Sequence, residues 1–426
     1  QRRHLAFTET VDGLDEGRFH FSAKDNLCAL GFQARAGSAV LEGYRPPFDA
    51  TPIHRLKAAG GQLVGKTTMD EFGFGSFSTN SAHGVPLNPF DPDRSCGGSS
   101  GGAGAAACLI PGHIALGVST GGSISGPASF CGVVGLTPTY GRVSRYGLID
   151  YGNSLDKVGL LSRSAASIAQ HFGTIAGPDP KDPTSCAQPP LAGKGRMPSS
   201  LALPREAMEN LDPAVRKAFQ GALPVLRGMG VAVEEVSMPS LRFALPAYYV
   251  LATSEASTNL ARYCGMRFGR REEELNQHFN DFFTGVRSEG FGDEAKRRIL
   301  LGTFCRMVGF RSRYYLKSLA VRQMLIGEYR SVFQEHDAVL TPTMPFLPPR
   351  FEDIRRMTPL EMYLADFLTI PPNLVGMPHV SVPCGYVDGL PVGMQVVADH
   401  WKEMDLLELA KGWEGAFPYT FPEVRP

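Results

Sequence analysis

Residues 97–132 read GGSSGGAGAAACLIPGHIALGVSTGGSISGPASFCG, a run in which Ser99 and Ser123 are each flanked by glycines and stand 24 positions apart (123 minus 99). Glycine adds no side chain to a core and loses more backbone entropy on folding than any other residue. Glycines this dense therefore indicate backbone that passes close to another group or donates its N–H groups to it. Packing alone explains such a pattern poorly.

Helix and strand patterns alternate through this run and on both sides of it. The Ala-rich stretch 101–110 predicts a helix, and residues 114–116 predict a buried strand. Residues 51–67 predict a helix, capped by Thr51 with Pro52 at its first position, followed by a short strand. The stretch 250–335 is strongly helical in pattern. Further short strands are predicted at 231–236, 339–340, 380–382 and 394–397. This alternation indicates an α/β fold built in layers.

The composition narrows the class of protein. The 426 residues include 42 Lys and Arg and 42 Asp and Glu, so the whole chain lacks the net positive charge expected of a nucleic-acid binder. The basic run 296–298 is interpreted as a solvated helix face. No apolar run is long enough for a membrane helix, and the eight cysteines form no C-x-x-C pair, which favours reduced thiols inside a cell. The start, residues 1–4, lacks a methionine and is interpreted as processed or trimmed.

The glycine-flanked serines need a base to act as nucleophiles, because a serine hydroxyl is unreactive at neutral pH. No G-x-S-x-G motif stands out, and the histidines lie away from the glycine clusters. Lys24, before an apolar run, is the candidate base, provided that burial holds it neutral. Ser99 could then pass a proton between Lys24 and Ser123. The backbone N–H groups of Thr120, Gly121 and Gly122 suit an oxyanion hole.

Each of these features also has a simpler interpretation. Lys24 could be paired with the adjacent carboxylate of Asp25. Ser99 and Ser100 could hold a phosphate, although the run lacks the G-K-[ST] ending of a P-loop. Cys131 is a rival nucleophile, but its apolar surroundings favour a core thiol. The combination of the lysine and the two serines, rather than any one of them, indicates amide chemistry.

That combination resembles the amidase signature family, in residues 97–107, 120–123 and 127–132 and in the 75 positions between Lys24 and Ser99 (99 minus 24). The resemblance implies a large mixed sheet with helices on both faces. It implies one amidase domain over 1–426, with a mostly helical, cap-like insertion at about 240–335. It also implies that Ser123 is the nucleophile and Lys24 the base. Ser99 would bridge them, with a cis peptide bond before it.

Within this family the chain is most similar to glutamine-hydrolysing members that work as one subunit of a tRNA-dependent amidotransferase. The segments that carry this similarity are 136–148, 254–263, 296–303, 366–371 and 382–385. The resemblance implies that Arg298, or else its neighbour Arg297, holds the glutamine carboxylate, that Asp366 holds its amino group, and that Ser100 contributes to substrate binding. An amino-acid zwitterion is bound well by one charged partner at each end.

The same resemblance implies the partners and the location. This chain would need no cofactor or metal. A tRNA-binding and kinase partner subunit would bind Glu-tRNA(Gln) and use ATP and Mg²⁺, and a small linker subunit would complete the complex. The short stretch before Lys24 resembles fungal mitochondrial members, which predicts the mitochondrial matrix; a bacterial chain would be cytoplasmic.

The sequence departs from the family pattern at two positions, since Ser119 stands where an Asp is usual and Ser125 where an Arg is usual. Losing both residues indicates the loss of a buried ion pair, which need not be costly when both charges go together. Two other functions remain open. One is a stand-alone amidase for fatty-acid or aryl amides, and the other is a non-catalytic scaffold.

Overall fold

The computed structural model describes residues 4–185, 188–191, 193–269 and 278–422. Within these ranges one sheet contains eleven strands. The strands are β1 (Phe7–Thr10), β2 (Phe19–Lys24), β3 (Gly61–Thr67), β4 (Ile114–Ser119), β5 (Val134–Thr137), β6 (Lys157–Ser162), β7 (Ser200–Pro204), β8 (Ala232–Val236), β9 (Ala338–Pro342), β10 (His379–Val387) and β11 (Leu390–Ala398).

The α-helices alternate with these strands and then follow one another after β8. They are α1 (Thr51–Ala58), α2 (Gly101–Leu109), α3 (Ser125–Phe130), α4 (Ala165–Ile175), α5 (Pro213–Gly228), α6 (Ala244–Asn259), α7 (Phe279–Gly290), α8 (Asp293–Arg306), α9 (Tyr315–Val332), α10 (Phe351–Arg356), α11 (Pro359–Leu364), α12 (Ile370–Leu374) and α13 (Glu403–Ala416).

The sheet is mixed, as the family resemblance implies. Its strand order is β1-β3-β2-β4-β6-β5-β10-β11-β9-β7-β8. Strands β3, β2 and β4 run parallel to one another, as do β9, β7 and β8, while the strands between β4 and β9 pair antiparallel. Connections that cross between parallel strands carry helices back over the sheet.

Helices cover both faces of the sheet, because successive strand residues point to opposite sides. On β9, Leu340 packs into the apolar cluster that includes α5 and α13, whereas its neighbour Val339 packs into the cluster that includes α6. The same alternation separates Val396 from Val397 on β11. Both faces are therefore buried, which confirms the predicted α/β fold.

One edge of the parallel strands brings the site residues together. Lys24 is the last residue of β2, and Ser119 is the last residue of the adjacent parallel strand β4. The loop after β4 leads to Ser123, and Ser99 stands two residues before the start of α2. Parallel strands end at the same edge, so three segments far apart in sequence meet there.

The prediction that Thr51 caps the first helix was wrong. Residue Ala50 occupies the cap position without a side-chain bond, and α1 begins at Thr51 itself. The Thr51 hydroxyl instead donates to Asp179 Oδ2 at 2.5 Å, so it ties the helix to a distant loop.

The division of the chain into one amidase domain with a helical insertion at about 240–335 stays a prediction, and residues 270–277 of that insertion lie outside the described ranges. Residues 1–3 also lie outside them. No helix in the described part of the chain is both long enough and apolar enough to span a bilayer.

Candidate active site

Lys24 is fully buried at the end of β2, and its side chain is held by two acceptors. Its Nζ donates to Ser99 Oγ at 2.6 Å and to the carbonyl of Val118 at 3.0 Å. Burial lowers the pKa of Lys24 to about 7, although the carboxylates of Asp70 and Asp156 oppose this shift. A large fraction of the amine is therefore neutral at physiological pH, and the neutral form is the one that can act as a general base.

Ser99 lies in a crowded loop whose backbone is held from several sides. The peptide bond between Gly98 and Ser99 is cis, as the family resemblance implies, and the Asp70 amide donates to the Ser99 carbonyl at 3.2 Å. A Cβ added to Gly98 would lie 2.4 Å from Asp70 Oδ2 and 2.6 Å from the Phe77 amide nitrogen. Only glycine fits there, which explains part of the glycine cluster.

Ser123 follows β4 in a loop that touches the Ser99 loop. The Ser100 amide donates to the Ser123 carbonyl at 3.2 Å. Within the described ranges the Ser123 hydroxyl makes no hydrogen bond, and the residue is 7% exposed. It is therefore nearly buried, and no group in the described ranges holds its hydroxyl. The structure brings Lys24, Ser99 and Ser123 to one site.

The predicted oxyanion loop is fixed by side chains from distant segments. Thr120 Oγ1 donates to Asp156 Oδ1 at 2.6 Å, and Asn373 Nδ2 donates to the Gly121 carbonyl. The other carboxylate oxygen of Asp156 accepts backbone bonds from Tyr151 and Gly152 at 2.8 and 3.1 Å. These bonds set the loop conformation before any ligand binds.

The two serines that depart from the family pattern are both buried. Ser119 Oγ donates to the Gly121 carbonyl at 2.8 Å, so it supports the loop directly. Ser125 Oγ has no hydrogen-bond partner in the described part of the chain. The loop therefore keeps its backbone bonds without an ion pair at these positions.

Arg298 is buried on α8 and surrounded by aromatic rings. Its Nε donates to Glu294 Oε1 at 2.7 Å and its Nη1 to the Tyr151 hydroxyl at 2.6 Å. The guanidinium carbon lies 5.1 to 5.7 Å from the ring centres of four aromatic residues: Phe74, Tyr151, Tyr249 and Tyr363. Such contacts favour the cation where water is excluded. Arg297, by contrast, keeps 41% of its side chain exposed and pairs with Glu294.

Asp366 lies against the oxyanion loop. Its Oδ2 accepts a hydrogen bond from Ser76 Oγ at 2.6 Å, and a Cβ added to Gly122 would lie 2.7 Å from its Oδ1. Burial raises the pKa of Asp366 to about 7, while the Ser76 bond and the charge of Arg298 oppose the shift. The carboxyl thus approaches the site closely because residue 122 has no side chain.

The alternatives raised by single residues are not supported. Asp25 faces a different lysine, since Lys66 Nζ lies 3.9 Å from Asp25 Oδ1. The Cys131 thiol donates to the Cys96 carbonyl, and burial raises its pKa well above the ordinary value. The Ser100 hydroxyl bonds the backbone of Val118 at 3.2 Å, so its role in substrate binding stays a prediction. Within the described ranges no cluster of three or more His, Cys, Asp or Glu could hold a metal ion.

Several residues around the site were not predicted from the sequence. Asp70, Asp156, Ser76 and Glu294 each bond to a residue that the sequence did predict, and none belongs to a motif singled out above. One signal was present: residues 73–76 read GFGS, a further glycine-rich stretch with a serine. It passes against Gly98, whose amide donates to the Ser76 carbonyl at 2.7 Å.

In this site a buried lysine donates a hydrogen bond to a serine, beside a glycine-rich loop that ends in a second serine. A direct sequence match accompanies this arrangement. The family model described as Amidase matches residues 20–407, and the chain belongs to this family. The resemblance predicted from the motifs is therefore confirmed.

Individual proteins that match most of this chain carry the same name. The A subunit of the glutamyl-tRNA(Gln) amidotransferase of Symbiobacterium thermophilum is 44% identical over 95% of this chain and 83% of that protein. The A subunit of the Thermus thermophilus amidotransferase is 45% identical over 97% of this chain and 88% of that protein. The crystal structure of the A subunit from Thermotoga maritima superposes with a TM-score of 0.84 at 34% identity, covering 100% of this chain and 92% of that one.

Proposed function

We propose that this chain is the glutamine-hydrolysing subunit of a glutamyl-tRNA(Gln) amidotransferase, a ligase complex used in protein biosynthesis. The observation that carries the proposal is the buried amine of Lys24, which has a pKa of about 7 and lies 2.6 Å from Ser99 Oγ, beside the loop of Ser123. Charged groups suited to the two ends of an amino acid, Arg298 and Asp366, lie at the same site. The relatives described above bear the name of this amidotransferase.

In the proposed reaction Ser123 Oγ attacks the side-chain amide carbon of glutamine. Its proton passes to Ser99, whose own proton passes to the neutral amine of Lys24. The backbone N–H groups of Thr120, Gly121 and Gly122 stabilise the tetrahedral oxyanion, and one such donor contributes about 3 to 4 kcal/mol. The proton then returns to the departing nitrogen, and ammonia leaves.

Deacylation repeats these steps with water in place of the serine. Water loses a proton through the same relay and attacks the acyl-enzyme, which releases glutamate and restores the Ser123 hydroxyl. One glutamine and one water thus give one glutamate and one ammonia. A partner subunit that binds Glu-tRNA(Gln) and uses ATP and Mg²⁺ would receive the ammonia, and a small linker subunit would hold the two together. The mitochondrial matrix, or the cytoplasm of a bacterium, is the proposed location.

The replacement Ser123→Ala tests the nucleophile. We expect it to abolish glutamine hydrolysis, while transamidation by the assembled complex with added ammonia persists. Ser125→Ala, two residues away at the start of α3, is the matched control, because that hydroxyl has no partner to lose in the described part of the chain. Retained hydrolysis in Ser123→Ala would refute the assignment. Full activity of the isolated chain on aliphatic amides would instead support a stand-alone amidase.

The replacement Asp366→Asn tests the substrate. The amide keeps an acceptor for Ser76 but cannot attract an ammonium group, so KM for glutamine should rise about 10- to 100-fold, which corresponds to a lost charged hydrogen bond of about 1.5 to 3 kcal/mol. Glutaric acid monoamide, which lacks the amino group, should be hydrolysed by the variant and the parent alike. Equal losses for both substrates would show that Asp366 acts on the loop rather than on the substrate.

A further inference from the structure

Helix α8 has two faces of different character. Arg298 and Gly302 lie on the buried face, where a Cβ added to Gly302 would lie 1.9 Å from the Thr253 carbonyl of α6. The outer face carries Leu300, which is 71% exposed, and Phe304, which is 39% exposed. The helix is therefore held tightly on one side and presents large apolar side chains on the other.

The exposed apolar surface continues beyond the end of α8. Met307 is 51% exposed and Val308 is 100% exposed, and both lie in the turn that leads to α9. The rings of Phe310 and Tyr314 pack on Phe304, with ring centres 4.5 and 5.7 Å from it. We name residues 300–317 the α8–α9 tip. Single exposed apolar residues are ordinary, but a contiguous group of them marks an interaction surface.

The charge around the α8–α9 tip is strongly one-sided. Residues 295–327 contain eight Lys and Arg and no Asp or Glu, although the chain as a whole has 42 of each sign. Four of the basic residues lie on the tip itself and are exposed: Arg306, Arg311, Arg313 and Lys317. The surface is thus apolar at its centre and positive at its border. The interpretation of the basic run 296–298 as a solvated helix face was wrong for Arg298, which is buried, whereas Lys296 and Arg297 are partly exposed.

We propose that the α8–α9 tip is the docking surface for another protein subunit, one that presents an apolar patch bordered by carboxylates. The inference rests on the proposed function, because it takes the chain to be one subunit of a complex. A second copy of this chain would oppose like charges, which is unfavourable. Nucleic acid would pair with the basic border but would leave the aliphatic centre without a matching surface.

The placement of the tip connects docking to the active site. Arg298 lies on the same helix as Leu300 and Phe304, and Glu294, one turn earlier, accepts from Arg298 Nε at 2.7 Å and from the Tyr363 hydroxyl at 2.8 Å. A partner that covers the outer face would restrict the motion of α8 and with it the position of the Arg298 guanidinium. Docking should therefore lower KM for glutamine.

The test uses the double variant Met307→Glu, Val308→Glu in the full chain. These exposed positions tolerate a charge without loss of packing, and glutamates would repel the carboxylates expected on the partner. We would purify the remaining amidotransferase subunits of the same organism and measure their binding by titration calorimetry, together with glutamine hydrolysis at a fixed partner concentration. Leu14→Glu, at an apolar position 63% exposed and far along the chain, is the matched control.

We expect binding at least tenfold weaker in the double variant, with the partner-dependent decrease in KM lost and the activity of the free chain unchanged. Arg311→Glu, Arg313→Glu should weaken binding most at low salt. Unchanged binding by both variants would overturn the proposal. The proposal would also be overturned if anionic vesicles or tRNA bound the wild-type tip while the substituted chains still formed the subunit complex.

A result that refutes the docking surface can be distinguished from one that refutes the proposed function. Ser123→Ala should bind the other subunits as the wild type does, since it lies outside the tip. If the complex forms through the tip but the wild type hydrolyses no glutamine, the proposed function is wrong and the docking surface stands.

Discussion

Lys24 and Lys66 form an instructive pair, because they are fully buried lysines on adjacent parallel strands. Lys66 Nζ donates to the Leu27 carbonyl at 2.5 Å and to the Asp25 carbonyl at 3.2 Å, and lies 3.9 Å from the Asp25 carboxylate. Those acceptors leave the amine bound to the backbone of the loop after β2. Its role is to hold that loop in place.

Lys24 has fewer partners and one of them can react. It donates to a single carbonyl, that of Val118, and to the hydroxyl of Ser99. Burial lowers the pKa of both lysines, so burial alone does not distinguish a base from a structural cation. The difference lies in the acceptors, because a hydroxyl has a proton that it can give to the neutral amine, whereas a carbonyl has none.

Lys24→Met should show the largest effect on activity. The thioether has similar volume but cannot accept a proton, so kcat/KM for glutamine should fall by at least ~10³-fold, near the upper range for loss of a general base. The unfolding midpoint in urea should remain at or above that of the wild type, because a buried amine is removed. Activity within tenfold of the wild type would exclude Lys24 as the base.

Lys66→Met should affect stability first. It leaves the Asp25 carboxylate buried without its cation and the carbonyls of Asp25 and Leu27 without a donor. We expect a loss of about 3 to 5 kcal/mol in the free energy of unfolding. Urea denaturation followed by circular dichroism measures this loss. A variant as stable as the wild type but inactive would show that Lys66 belongs to the chemistry, and the contrast with Lys24 would fail.

The pH dependence of hydrolysis sharpens the comparison further. Lys24 is a base only when neutral, so activity should be lost as pH falls below its pKa of about 7. Asp70 raises that pKa through its charge, and Asp70→Asn should therefore move the acid limb of kcat/KM to lower pH. Measurement with glutaric acid monoamide avoids the titration of Asp366, which has a similar pKa of about 7. If the acid limb of kcat/KM does not move, the charge of Asp70 does not influence the pKa of Lys24.

Asp25→Asn should have the smallest effect. The substitution removes the charged partner of Lys66 but leaves its backbone acceptors, so we expect a loss of about 1 to 2 kcal/mol in stability. The kcat for glutamine should be unchanged, because Asp25 does not pair with Lys24. A large decrease in kcat without loss of stability would show instead that Asp25 acts on the base.

The sequence was sufficient to single out the lysine and the two serines that the structure brings to one site. Lys24, Ser99 and Ser123 stand next to glycine or strand ends, where local pattern carries information, and the cis peptide bond before Ser99 was expected from the motif. Asp156 could not be found in this way. Its contact with Thr120 joins residues 36 positions apart, and nothing in its immediate neighbours marks it as special.

The residues proposed to bind the substrate illustrate the same limit. Arg298 and Arg297 are adjacent in the sequence, and only the packing of α8 shows that Arg298 is buried among aromatic rings while Arg297 faces outward. The helical pattern of this region could not separate them, because both positions carry the same side chain.

The amino-acid sequence by itself determined the family, the α/β class and the position of the lysine and the two serines, since these depend on local backbone demands for glycine and on strand and helix periodicity. The tertiary structure decided which buried lysine meets a hydroxyl and which meets carbonyls. It also decided which arginine is buried among aromatic rings and which apolar side chains of α8 remain uncovered. These outcomes depend on contacts between distant segments, and such contacts form only when the sheet brings its strand ends together.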